Sequence, residues 1–303
     1  MTLAPPTLVT TVTYDVDGTK GWSSIQEAHN AGGFLVSRIT TMDSGSVNTE
    51  LFEALQRVSQ TVTDTDANSA NWSSRTVEWN WEGAKTARTT LFDDGSRLVE
   101  GYDVDSGVRT SRTEYDDGGA EKWASYTTLY DDTGKIKTGI EKVLDNGRID
   151  SFTYDAASGE TIQRKITDGG DKKAWDTKTM TYDVDSGKLT SRTIIDDDNS
   201  SLAITWNDGV RATRTEIDGD ADTFEWYSRE TIYDVNGKRA QLNETRDDGD
   251  FVVSNYAGDK LLDVTTYDNS GDEAWHIERV FYDPKGNVTD TQYYDESGNT
   301  FLF

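Results

Sequence analysis

Hydrophobic and polar residues alternate along this chain in short runs separated by turn residues, and the 3.6-residue spacing of an amphipathic helix is almost absent. Residues 72–115 show the pattern: WSSRTVEW, a turn, KTARTTLF, a DDG turn, RLVEGY, a DVDSG turn, then VRTSRTEY. Thr, Val, Ile and Tyr in such runs suit a pleated, half-buried surface. Asp-Gly and Asn-Gly supply the positive φ angles of tight hairpin turns. Strands of about six to nine residues at ~12-residue spacing predict an antiparallel meander. One segment has helical spacing: TELFEALQRVSQ, residues 49–60, with Leu51, Phe52, Leu55 and Val58. Phe52 falls where Tyr102 and Tyr154 stand in other copies of a repeat described next, so a degenerate strand pair is expected there.

The repeat is marked by Trp22, Trp72, Trp123, Trp175, Trp226 and Trp275, separated by 50, 51, 52, 51 and 49 residues. Two positions after each comes Ser24, Ser74, Ser125, Thr177 or Ser228, with Ile277 the exception. Seven after each comes an aromatic ring, Trp79, Tyr130, Tyr182, Tyr233 or Tyr282, with His29 in the first copy. A glycine turn follows, ending at Gly33, Gly83, Gly134, Gly187, Gly237 and Gly286, and about a dozen residues later a second acidic turn. Agreement at several positions in six copies establishes internal duplication of a ~50-residue all-β unit. The whole chain, 1–303, is read as one repeat domain with units near 15–63, 64–115, 116–167, 168–217, 218–267 and 268–303, residues 1–14 supplying one extra strand.

That extra strand, LVTTVTYD at 8–15, matches the fourth strand of later copies, and TFLF at the C-terminus matches a third strand. One strand, five sets of four and three more sum to 24, which predicts a six-bladed β-propeller closed by the N-terminal strand. Strands such as KTARTTLF and KRAQLNETR are polar on both faces, which favours the alternative, an open or spiralling β-meander.

Composition sharpens this picture. Lys plus Arg number 30 against 56 Asp plus Glu, a net charge of −26 that repels nucleic acid and anionic lipid and attracts cations. Hydrophobic residues make up 34 %, but nine Trp, fourteen Tyr and nine Phe provide a thin core. Without Cys there are no disulfides, thiolate metal sites or Cys nucleophiles. No run of 18 apolar residues predicts a membrane span. The first residues, MTLAPPTLVTTVTYD, hold no basic region or apolar signal core, so either export is expected without a cleaved N-terminal signal or the chain begins inside a longer protein.

The tyrosine–aspartate turns YDVDSG (102–107, 182–187), YDDTG (130–134), YDAASG (154–159), YDVNG (233–237) and YDPKG (282–286) resemble those of YD-repeat proteins. The compound unit of acidic turn, W-x-S, YDxxG and DDG is similar to tandem modules of large secreted alphaproteobacterial proteins of the hemolysin-type (RTX) calcium-binding group. That resemblance covers nearly the whole chain. It implies secretion without an N-terminal signal, extracellular or cell-surface placement, and calcium. The glycine-rich nonapeptide GGxGxD of the group is absent, so its calcium sites do not carry over.

Each segment between a fourth strand and the next repeat Trp is acidic. Calcium takes six to eight oxygens from flexible loops, and Asp64-x-Asp66-x-Asn68 and Asp218-x-Asp220-x-Asp222 come closest to that spacing, with Asp15 and Asp17 in the first loop. Plain turn chemistry accounts for the same residues. Trp79, Trp81 and Trp206 stand apart from the six period-marking tryptophans and are candidate contact residues for a sugar surface. Catalysis is not expected: His29 and His276 occupy different repeat positions, and no G-x-S-x-G, Walker loop or H-E-x-x-H occurs. The function expected is a non-enzymatic binding or spacer module, extracellular or on a bacterial surface, of which a glycan-recognising adhesin segment is one form. The alternative is a self-assembling structural protein such as a phage fibre, virion decoration or surface filament.

Overall fold

The computed structural model describes residues 8–65, 70–170, 172–219 and 223–301, and every regular element among them is a strand. The chain divides into two compact units, Met1–Asp145 and Asn146–Phe303. The first carries β1 (Val9–Tyr14), β2 (Trp22–His29), β3 (Leu35–Met42), β4 (Val47–Glu53), β5 (Gln56–Thr63), β6 (Trp72–Trp79), β7 (Lys85–Phe92), β8 (Arg97–Tyr102), β9 (Arg109–Tyr115), β10 (Trp123–Tyr130) and β11 (Lys137–Leu144). The second carries β12 (Arg148–Tyr154), β13 (Thr161–Asp168), β14 (Trp175–Tyr182), β15 (Leu189–Asp196), β16 (Ser201–Asn207), β17 (Val210–Ile217), β18 (Trp226–Tyr233), β19 (Arg239–Arg246), β20 (Phe251–Ala257), β21 (Lys260–Tyr267), β22 (Ile277–Tyr282), β23 (Val288–Tyr294) and β24 (Thr300–Phe301). These are the twenty-four strands expected.

The closed six-bladed propeller is not what they build. A bladed ring interrupts the strand pairing after every fourth strand. Here the pairing continues through the repeat boundaries: Thr61 faces Thr76 across β5 and β6, and Thr113 faces Thr127 across β9 and β10. In the second unit Lys165 faces Thr179, Thr215 faces Glu230, and Thr265 faces Arg279. Within each unit a strand meets only the strand before it and the strand after it. Among the described residues β1 pairs with β2 alone, so the sheet is open, as the alternative meander required. The physical reason lies in the side chains. Propeller blades stack face to face and need apolar residues on both sides, whereas these faces are polar.

In the first unit one face holds a row of Thr61, Thr76, Thr89, Val99, Thr113 and Thr127, each opposite the next. Hydroxyl bonds link Thr61 to Thr76 at 2.9 Å and Thr113 to Thr127 at 3.0 Å. The other face carries Glu27, Arg38 and Glu50 in one stretch and Arg88, Glu100 and Arg112 in another. The second unit repeats the scheme, with Thr205 bonded to Thr213 at 2.7 Å on one face and Glu216 opposite Arg229 on the other. Opposite charges facing across strands each contribute a fraction of a kcal/mol, roughly 0.2–1. Many such small contributions replace a second packing layer. Among the described residues only Ala28, Ile204, Trp226 and Val252 are apolar and buried.

Local chemistry explains the turns. Gly95 follows Asp94 with φ 87°, a conformation that strains any residue with a β-carbon, and its amide donates to the Phe92 carbonyl at 3.1 Å. Asn199 takes the corresponding place in another copy at φ 67°, as the residue type that best tolerates it. Residues 49–60 form the strand pair β4–β5, not a helix, through a turn in which Ala54 and Leu55 both adopt positive φ. Each period-marking Trp in a strand enters through a bulge, the register slipping between Trp22 and Ser24, Trp72 and Ser74, Trp123 and Ser125, Trp175 and Thr177, and Trp226 and Ser228. The small hydroxyl residue two positions on is the one that resumes the pairing. Trp275 precedes β22 instead of opening it, and there Ile277 breaks the pattern.

Candidate functional site

The acidic loops are organised by their first aspartate. Its amide donates to the residue after the repeat Trp: Asp15 to Ser23, Asp64 to Ser73, Asp116 to Ala124, Asp218 to Tyr227 and Asp268 to His276, at 2.9–3.2 Å. Its carboxylate then accepts loop amides. Asp15 takes Lys20 at 2.8 Å, Asp116 takes Ala120 and Glu121, Asp168 takes Lys172 and Lys173, and Asp218 takes Phe224 at 3.0 Å. Asp168, Asp218 and Asp268 are buried in this role. Asp17 accepts the amide and hydroxyl of Thr19, and with Asp15 beside it these bonds hold its carboxyl below the ordinary value. Asp66, Asn68, Asp220 and Asp222 lie outside the described residues. Among the described residues no three acidic or histidine side chains converge in a way that could hold a metal ion.

The tyrosine–aspartate turns use the same chemistry. Asp103 accepts from the hydroxyl and amide of Ser106, Asp183 does so from Ser186, and both carboxyls are thereby held below their ordinary value. Three of the tyrosines that begin these turns, Tyr102, Tyr130 and Tyr233, lie at strand ends beneath cations, and other strand-end rings do the same. Across the first unit Arg57 covers the Trp79 ring at 4.4 Å, Lys85 covers Tyr102 at 3.7 Å and Arg109 covers Tyr130 at 4.5 Å. Arg211 over Tyr233 and Arg239 over Tyr256 continue the scheme in the second. Trp79 therefore belongs to a structural ladder. Trp206 sits near the end of β16 opposite Arg211, the repeat position that Tyr102 holds opposite Arg109. Trp81 is 76 % exposed in the β6–β7 turn. The structure gives these three tryptophans separate positions, with Trp206 in the other unit.

A pocket of about 280 Å³ opens beside Trp123 instead. Trp123, Tyr115, Arg97, Arg112, Glu114 and Glu121 line it, with turn residues around them. The bulge opening β10 sets Trp123 opposite Leu144, and Tyr126 meets its ring at 6.2 Å with a 56° tilt. The Arg97 guanidinium stands over the Tyr115 ring at 4.0 Å, and Arg112 pairs with Glu114 at 2.9 Å. The Nε–H groups of both arginines are buried; that of Arg97 faces the Asp117 carboxylate at 3.5 Å, and that of Arg112 has no hydrogen-bond acceptor. Asp116 fixes the loop carrying Glu121 by accepting its amide at 2.6 Å. An aromatic wall with convergent donors and carboxylates is the makeup of a small-ligand site. Arg112, Tyr115 and Glu121 were not singled out from the sequence. The available signal was a departure from the repeat: three residues after the Trp, where Arg75, Lys178 and Arg229 cover their indoles, this copy has Tyr126.

No known protein family matches the chain, and no curated protein does. The hemolysin-type affiliation thus stays a resemblance. Among solved structures, the TcdB2–TccC3 toxin complex with Cdc42 aligns at 12 % identity over 90 % of this chain and 17 % of that one, with a TM-score of 0.20. The Photorhabdus luminescens Tc holotoxin pore aligns at 12 % identity over 91 % and 18 %, TM-score 0.21. BamB from Moraxella catarrhalis aligns at 11 % over 94 % and 98 %, TM-score 0.18. The chain thus spans under a fifth of the length of the toxin chains it aligns with. Likeness at this level assigns neither fold nor function. No helix among the described residues is long and apolar enough to cross a membrane.

Proposed function

We propose that this chain is a non-enzymatic repeat module of YD type that works outside the cell, spacing and binding a glycan or other cell-surface component. The observation that carries the reading is the strand-by-strand construction. Because each strand among the described residues of a unit meets only its sequence neighbours, a unit of this kind can lengthen by adding repeats, each copy presenting its own strand ends and loops. Repeats of that kind suit many weak contacts and avidity. A net charge of −26 keeps such a module off nucleic acid and anionic lipid. Calcium at the loops of Asp64–Asn68 and Asp218–Asp222 is part of the proposal, resting on their carboxylate spacing alone.

The test is saturable binding of the labelled chain to surface polysaccharides and to intact cells, in calcium and in EDTA. Binding is expected to at least one polysaccharide class and to weaken in EDTA. A chain that binds none of them, yet assembles into defined multimers by size exclusion with light scattering, is a structural component of an assembly and not a binding module.

A further inference from the structure

The molecule contains its own comparison for the Trp123 pocket. In the copy built around Trp226, the residue two positions before the tryptophan is Phe224, and its ring stacks on the indole at 4.8 Å and 12°. Arg229 covers the same indole at 4.4 Å, and Trp226 is buried. In the copy built around Trp123, the corresponding positions are Glu121 and Tyr126, and the pocket stands at the indole with Glu121 in its wall. The repeat therefore shows what a flat ring does when it occupies this place. Here the place is bordered by the Glu121 carboxylate and by the guanidiniums of Arg97 and Arg112.

We propose that the Trp123 pocket binds a neutral pyranose sugar, which deepens the glycan reading above and rests on it. The apolar C–H face of the sugar ring stacks on the Trp123 indole as Phe224 stacks on Trp226. Its hydroxyls donate to Glu121 and Glu114 and accept from the outer guanidinium N–H groups of Arg97 and Arg112, whose side chains are half-exposed. Hydroxyls set against these carboxylates and guanidiniums orient the ring on the aromatic wall. Charge selects the class. Four carboxylates line the pocket against two guanidiniums, so an anionic sugar is repelled and an uncharged one is not. A monosaccharide of about a dozen heavy atoms on an open site binds with Kd on the order of 1 mM.

The test is a titration of the full chain with methyl glycosides of glucose, galactose and mannose, with glucuronate as anionic comparator, read by saturation-transfer NMR and calorimetry. At least one neutral glycoside binds near 1 mM, and glucuronate binds at least about tenfold more weakly. Glu121→Phe places a phenyl ring where Phe224 lies in the other copy. It lowers the affinity more than about tenfold while the melting temperature holds or rises. Trp123→Ala also abolishes binding, and Glu121→Phe serves if that variant fails to fold. Binding that survives Glu121→Phe, or glucuronate bound as well as the neutral sugars, overturns the proposal. So does the absence of saturable binding by all three glycosides. If Glu121→Phe binds polysaccharide surfaces as the native chain does, the pocket proposal fails and the module reading stands. If the native chain binds no surface at all, the module reading fails with it.

Discussion

Trp226→Ala is expected to destabilise the second unit by about 3–4 kcal/mol, lowering its melting temperature by roughly 10 °C, whereas Trp81→Ala changes stability by less than about 0.5 kcal/mol. Trp226 is 8 % exposed, stacked on Phe224 and covered by Arg229, in a chain with few buried apolar side chains. Removing it empties a site that the single-layer sheet cannot refill from a second layer. Trp81 is 76 % exposed in a turn and supports nothing beneath it. Calorimetric melting of the two variants checks this. Equal effects would mean that the period-marking tryptophans do not form the core.

Glu100 carries the second large effect. It is 3 % exposed on β8, with Arg88 at 2.5 Å, Arg109 at 3.0 Å and the Tyr102 hydroxyl at 3.2 Å. Burial pushes its carboxyl upward, but the bond from Arg109, the charge of Arg88 and the Tyr102 hydroxyl outweigh that and hold it below the ordinary value of 4.5. Its protonated form is therefore disfavoured by folding. The stabilisation is full above the unfolded value and is lost as pH falls through the lower folded one. Glu100→Gln should cost about 2 kcal/mol at pH 7, less than a fully buried pair, because both arginine side chains reach water. Denaturation of native and variant chains between pH 7 and 3 should show that difference narrow as acid protonates the native carboxylate. A gap that stays constant over the range would show that the charge is not what stabilises.

Much of this architecture was legible beforehand. The tryptophan period, the turn glycines and the alternation within runs gave the strand number, and the polar pattern on both faces of KTARTTLF already argued for an open sheet. What the sequence left open was whether the fourth strand of one copy pairs with the first of the next. A four-strand period is the same for a bladed ring and for a continuous meander, and the deciding pairs, Thr61 with Thr76 and Thr113 with Thr127, lie about 14 or 15 residues apart on either side of a variable acidic loop. A ring at a strand end serves a cation ladder as readily as a ligand, so the sequence could not tell the two uses apart; Arg57 over Trp79 shows the first of them at that one position. Glu121 was readable only against Phe224, once both were known to lie beside an indole.

The continuous meander is tested most directly by amide hydrogen exchange resolved strand by strand. The amides that face one another across β9 and β10, and across β17 and β18, bond between repeats and should be protected to the same degree as those across β7 and β8 within a repeat. Free exchange at the repeat boundaries, beside strong protection within each set of four strands, would contradict the open sheet and restore separate blades.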